Sequence, residues 1–219
     1  MESFRLNQLL KRQQDILLKI SLGQSLSSIA KEICISIEII LKREFAQCSI
    51  LYLEKDHLFH CASPSLPYEF SQLIDGVKVG PKVGSCGTAA FKGSRVIVDD
   101  IKTSPLWTGF KEAALRFNLK SCWSTPIFSD ELRVLGTFAI YYKENKFPSK
   151  EDLELIDHFV FLSSIVLKKY FKEKEFGLLV SNLEYSDRKA AAFAEVMPDL
   201  ALIFNENGDY IDIFGAYEE

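Results

Sequence analysis

GPKVGSCGTAAFKGSRVIVDDIKTSPLW, residues 80–107, is the stretch from which the rest of the chain is organised. The glycines at 80, 84 and 87 make its opening a loop whose backbone can come close to another group. Ser85 is placed as an N-cap and Gly93 as the left-handed closing residue, so SCGTAAFKG predicts a helix of one to two turns. RVIVDD, rich in β-branched residues, predicts a strand. Ser104 and Pro105 form an N-cap and N1 pair. Beyond them Trp107, Phe110, Ala114 and Phe117 share one face of a helix that Asn118 can end.

Upstream, residues 4–20 set Phe4, Leu9, Leu10, Ile16, Leu17 and Ile20 among charges at loosely helical spacing, and Gly23 interrupts them. Leu26, Ile29, Ala30, Ile33, Cys34, Ile37, Ile40 and Leu41 then follow the i, i+3, i+4, i+7 rule of an amphipathic helix. CSILYLE and HLFHCAS, parted by Lys55 and Asp56, predict a strand pair with a tight turn. SLPYEFSQLIDG is a short helix after a proline, and VKVGPKVGS a glycine-rich loop.

Downstream, CWSTPIFS and RVLGTFAIYYKE predict a closing hairpin. From Ser149 a long helix carries Leu153, Ile156, Val160, Leu167 and Tyr170 near heptad spacing, with Leu155, Phe159, Leu162 and Val166 beside them. These stripes fit either one wide buried face or a sheet-facing side and a partner-facing side. Residues 172–192 are charged and helical in propensity, a connector. After Pro198, LALIF and YIDIF flank NENGD, a strong hairpin signal at Asn207 and Gly208.

The composition bounds the classes. The chain has 219 residues, 47% hydrophobic and 26% charged, with a net charge of −4. Those fractions match the globular averages of ~45–50% and ~25%. The net charge gives no basic excess for phosphate neutralisation, so nucleic acid is not expected as a partner. The longest uncharged apolar run, HFVFLSSIVL, spans ten residues, against the ~18 or more of a membrane helix, so no membrane span is expected. The N-terminus scatters charges where a signal peptide needs an apolar core. Cys34, Cys48, Cys61, Cys86 and Cys122 are odd in number and form no CxxC pair, which predicts reduced thiols in a cytoplasm.

The element order, together with GSCGTAA, DI-x-x-x-PLW and CWSTPI in this spacing, resembles the GAF domains of bacterial sensor kinases and of GGDEF/EAL proteins of cyclic di-GMP signalling. The resemblance implies an α/β (α+β) fold with a central antiparallel sheet, helices on both faces and long terminal helices. It implies an N-terminal helix at 1–22, a GAF domain at 23–171, a connector at 172–192 and, at 193–219, the start of a PAS-like domain. It further implies a sensory, regulatory module rather than an enzyme, holding a small-molecule ligand of unknown identity. The output enzyme, a diguanylate cyclase/phosphodiesterase or histidine kinase, would lie further along a longer polypeptide. The module would dimerise through terminal helices, for which Leu153, Ile156, Val160, Leu167 and Tyr170 are the expected seam. The fold does not name the ligand, and no cofactor is assigned.

Within the motif, Cys86 falls just inside a helix N-terminus, where unpaired N–H groups and the dipole lower a thiol's pKa and favour anions. It reads as a reactive thiol or ligand donor, or as a small buried residue packing helix on sheet. Gly87 and Thr88 carry the same two readings. Trp107, Phe110 and Trp123 are candidates to line a pocket for a planar ligand, or to fill the core. Period two puts Leu135, Thr137, Ala139 and Tyr141 on one strand face. That face is assigned to the pocket, with Thr137, Ala139 and Ser124 in the candidate ligand-binding set. His57 and His60 diverge on a strand, so no metal site is assigned.

Two other readings stand beside the sensor. Free methionine sulfoxide reductases are GAF domains with a cysteine in a similar segment, which Cys86 matches. Their later cysteine, however, falls where this chain has WTGFKEAALRF, with Cys122 several positions on. The domain also reads as a dimerising spacer whose cavity is filled by Trp107, Trp123 and Phe110.

Overall fold

A computed structural model describes residues 2–42, 45–196 and 201–214. Two compact units divide it, Met1–Tyr170 and Phe171–Glu219. The first is built on a six-stranded antiparallel sheet of order β3-β2-β1-β6-β5-β4. Its strands are β1 (Ala46–Glu54), β2 (His57–Ala62), β3 (Val77–Lys78), β4 (Val96–Val98), β5 (Ser121–Phe128) and β6 (Val134–Tyr142). The central strand β6 sits between β1 and β5, so its two faces decide what each side of the domain contains.

One face is covered by α2 (Leu26–Ile40) and the first part of α6 (Lys150–Val196), with α1 (Glu2–Ser21) joined to α2 by Lys19 Nζ donating to Glu32 Oε2 at 2.6 Å. The apolar stripe of α2 is buried as its periodicity requires, at Ile29, Ala30, Ile33, Cys34, Ile37 and Ile40, and Ser25 caps its first turn. Gly136 marks the closest approach: a Cβ there would collide with the Leu51 carbonyl and press on Leu167. The other face carries α3 (Tyr68–Ile74), α4 (Gly84–Lys92) and α5 (Lys111–Arg116), packed on Cys122, Ala139 and Tyr141.

Lys55 and Asp56, with φ of 47° and 63°, make the two-residue turn between β1 and β2 without glycine. The 111–116 helix is shorter than its sequence suggests. Residues 105–107 form a separate 3₁₀ turn capped by Ser104, and the helix restarts after Thr108-Gly109-Phe110, where glycine is a poor helix former. VKVGPKVGS holds the edge strand β3, where the sequence predicts only loop.

The stripe expected as a dimer seam mostly serves the domain itself. Ile156 and Leu167 are buried, Leu167 lies against β6, and the Tyr170 ring is 5.6 Å from Tyr52. A single wide face, not a divided one, is what the sheet requires of this helix. Ser149 and Asp152 start it with a reciprocal capping pair, each backbone N–H donating to the other's side chain at 3.1 Å.

In the second unit β7 (Ala201–Phe204) and β8 (Tyr210–Phe214) pair antiparallel. The loop is closed by Asn205 N–H donating to Asp209 O at 2.8 Å, with Gly208 at φ 87° as the left-handed residue. The hairpin expected around Asn207 and Gly208 is therefore present, and the final GAYEE lies outside the described residues.

Candidate functional site

The site is built where α4 meets β5 and β6. Ser85 does not cap the helix, which starts one residue earlier at Gly84 after Val83. Its hydroxyl instead donates to the Cys122 carbonyl at 3.2 Å and accepts from Trp107 Nε1 at 3.1 Å. This bridge pins the indole, whose ring stands edge-on to Tyr141 at 6.5 Å. Thr88 Oγ1 accepts from Val83 N–H at 3.2 Å, so Thr88 secures the loop that enters the helix.

Between these elements lies a cavity of about 30 Å³, measured as space for the centres of water-sized molecules. Leu51, Leu58, Ile74 and Val77 wall one side, residues 83–87 another, and Trp107, Phe110 and Tyr141 the rest. Cys86, half-buried, faces it. Its sulfur is 3.6 Å from the Tyr141 hydroxyl, which in turn lies 3.5 Å from Ser49 Oγ.

The strand register places a polar cluster beneath this thiol. Cys122 pairs with Tyr141, Ser124 with Ala139, and Leu51 with Thr137, so all these side chains share one face. Ser124 Oγ and Thr137 Oγ1 are fully buried and have no hydrogen-bond partner at good geometry. The Cys122 thiol beside it, helped by the Ser124, Tyr141 and Thr137 hydroxyls, lowers Cys86 to about 7 against the opposing effect of burial. Burial pushes Cys122 and Tyr141 well up, so both stay protonated and able to donate.

Of the residues singled out in the sequence, Cys86, Gly87, Trp107 and Phe110 line the cavity. Thr137 and Ser124 lie beneath the thiol, and Ala139 is core beside Trp107 and Tyr141. Trp123 is elsewhere. Its register partner is Ile140, which puts it on the opposite face, where Nε1 donates to the Lys146 carbonyl at 2.9 Å and the ring packs 4.6 Å from Tyr142. Tyr141, which the sequence reading puts on the pocket face of its strand, lines the cavity; Cys122, the Ser85 bridge and the walls from β1, β2 and α3 are site features that it misses. Period two along CWSTPIF, which puts Cys122 with Ser124, is the signal that points to one of them.

A family model for the GAF domain matches residues 23–168. A methyl sulfide methyltransferase-associated sensor from Methanosarcina acetivorans is 39% identical over 123 residues, which are 55% of this chain and 12% of that relative. The chain therefore spans about an eighth of that relative's length. Among solved structures, the GAF domain of an Acinetobacter phosphoenolpyruvate-protein phosphotransferase superposes with a TM-score of 0.58 at 17% identity, covering 80% of this chain and 99% of that one. Free methionine-R-sulfoxide reductase from Neisseria meningitidis, in complex with its substrate, gives 0.58 at 13% identity, covering 76% and 89%. Such identities speak to fold alone. The family match runs through every strand of the six-stranded sheet and the helix bearing Cys86, and the chain belongs to the GAF domain family.

Proposed function

We propose that this chain is a cytoplasmic sensory input module, not itself an enzyme, that reports a small molecule held in the cavity at Cys86, Trp107, Phe110 and Tyr141. The cavity carries the reading: an apolar space on a GAF fold with a thiol facing it and a few polar groups beneath, the usual make-up of small-ligand sites. The named role of the Methanosarcina acetivorans relative supports it. The cavity is small, with space of about 30 Å³, whereas the pockets of drug-sized ligands run to ~300 Å³ or more. A small ligand suits this conformation, in which Ser85 holds the Trp107 ring at the cavity wall.

The output in this reading lies further along a longer polypeptide. Helix α6 runs from Lys150 to Val196, and the 193–219 segment with its β7–β8 hairpin is the start of a PAS-like domain ahead of a cyclic di-GMP enzyme or histidine kinase. The seam of a homodimer falls further along α6 than the sequence suggests, at Phe176, Leu179 and Leu183, which are 68%, 62% and 64% exposed and share one face at i, i+3, i+7.

Native mass spectrometry of the purified chain tests both parts. A small adduct that vanishes in Val77→Phe, which fills the cavity from its rim, supports the site, and one that survives places the ligand elsewhere. Phe176→Glu with Leu183→Glu should give a monomer with unchanged circular dichroism per folded domain. A monomeric unmodified chain at tens of micromolar removes the dimer.

A further inference from the structure

We propose that Cys86 and Cys122 are a reactive and a resolving thiol, which a small hydroperoxide entering the cavity converts to a disulfide tying α4 to β5. This rests on the cavity as the sensory site and names the class of molecule it responds to.

Access and size come first. Cys86 faces a small apolar cavity with room for the two oxygens of hydrogen peroxide. A second thiol lies close by: the Cys122 carbonyl accepts from Ser85, the neighbour of Cys86, and Tyr141, the strand partner of Cys122, has its hydroxyl 3.6 Å from the Cys86 sulfur. The third observation is the pair of buried hydroxyls without partners. Ser124 Oγ and Thr137 Oγ1 lie on the same face of the sheet as Cys122 and Tyr141 and have no hydrogen-bond partner. A buried hydroxyl left unsatisfied is costly, so two of them on the face that carries the thiol pair are best explained by a charge or oxygen that arrives there. Placement of Cys86 at the third residue of α4, a helix of nine residues, and its lowered pKa agree with a thiolate at neutral pH.

The chemistry balances. The Cys86 thiolate attacks one peroxide oxygen, forming S–O as O–O breaks, and the departing alkoxide or hydroxide takes up a proton to leave as alcohol or water. Cys86 is then a sulfenic acid, oxidised by two electrons. Cys122 attacks that sulfur, S–S forms as S–O breaks, and the departing hydroxide with the Cys122 proton gives a second water. Two thiols and one hydroperoxide yield one disulfide, one alcohol or water, and one water.

The disulfide would be felt at Trp107. Ser85, next to Cys86, donates to the Cys122 carbonyl and accepts from the indole, so drawing Cys86 onto Cys122 moves the groups that hold the ring. Stoichiometric hydrogen peroxide, added to the reduced full chain at neutral pH and followed by alkylation under denaturing conditions, should remove two hydrogens from the mass. It should protect Cys86 and Cys122 alone, change tryptophan fluorescence, and reverse with a dithiol reductant. In Cys122→Ser the sulfenic acid on Cys86 should persist and be trapped by a cyclic dione, and Cys86→Ser should show neither. Reaction at Cys34, Cys48 or Cys61 before Cys86, sulfenic acid that never passes to Cys122, or no reaction at all overturns the proposal. So does a disulfide driven by free methionine sulfoxide and not by peroxide, which would favour the reductase. An inert thiol pair alongside a cavity adduct that Val77→Phe removes would sink this inference and leave the sensory reading standing.

Discussion

The two faces of the sheet hold two groups of thiols, and the same residue type is given opposite properties on each. On the helical face of α2, Cys34 and Cys48 are wholly buried, and Cys61 is the extra residue of the bulge between β1 and β2. Cys34 Sγ lies 3.8 Å from the Ala62 carbonyl, and burial pushes Cys48 well up and Cys61 to about 12. On the other face Cys86 has a cavity in front of it and hydroxyl and thiol donors below it, and is lowered to about 7. Strand parity makes the difference, since Cys48 pairs with Ile140 whereas Cys122 pairs with Tyr141, one residue on. Donors and access together favour the thiolate at Cys86, and an apolar wall disfavours it at Cys48 and Cys61.

The largest expected effect breaks the inert side. Glu38 is fully buried, and its carboxylate accepts from Cys48 N–H at 2.8 Å and from Ser65 Oγ at 2.5 Å. Glu38→Leu leaves both donors unsatisfied in an apolar setting and should lower the unfolding free energy by about 3 kcal/mol. Urea unfolding followed by circular dichroism checks it. A loss below about 1 kcal/mol would mean that water reaches these donors, and the contrast between a dry and an accessible face would weaken.

Much of this arrangement is legible in the amino-acid sequence. The α2 stripe, the hairpins, the short helix closed by Gly93 and the positions of Cys86, Trp107 and Phe110 follow from local periodicity and cap chemistry, which a sequence displays directly. Trp123 does not follow, because its place depends on whether β5 aligns Ile140 or Ala139 opposite it, and register is a relation between distant segments. The same register hides Cys122, whose role comes from lying beside Tyr141 across β5 and β6. The stripe at Leu167 and Tyr170 shows a similar limit: heptad spacing says that a face is apolar and not what covers it, and here Leu167 lies against β6 and the Tyr170 ring beside Tyr52.

The second effect is a pH dependence of opposite sign on the two faces. An exposed thiol titrates near ~8.5, and Cys86 in the folded chain at about 7. Between those values the unfolded chain binds more protons, so Cys86 contributes stability that grows as pH rises through the window and is lost as pH falls through about 7. Cys48 and Cys61, raised by burial, do the reverse, and their contribution falls as pH rises above ~8.5. The urea midpoint of the unmodified chain relative to Cys86→Ser should therefore rise between about pH 6 and pH 8. A difference that stays flat across this range would show that Cys86 is an ordinary thiol.

The smallest effect on stability is the sharpest on the comparison. Ser124 is wholly buried with a hydroxyl that satisfies no partner at good geometry, a condition that costs free energy in a site with only structural duties. Replacing it by alanine removes that unsatisfied group and opens little space, so Ser124→Ala should unfold at the same denaturant concentration or slightly higher, by about 0.5 kcal/mol. The same change removes one of the hydroxyls that favour the Cys86 thiolate, so the pH midpoint of Cys86 alkylation should move up and its rate at neutral pH should fall. A hydroxyl that stabilises a thiolate while weakening the fold is kept for the sulfur, whereas one whose loss both destabilises the chain and leaves alkylation unchanged is packing. Measuring the two readouts on this one variant separates these cases. The corresponding change on the inert face, Cys34→Ala, should lower stability and leave the alkylation of Cys86 untouched.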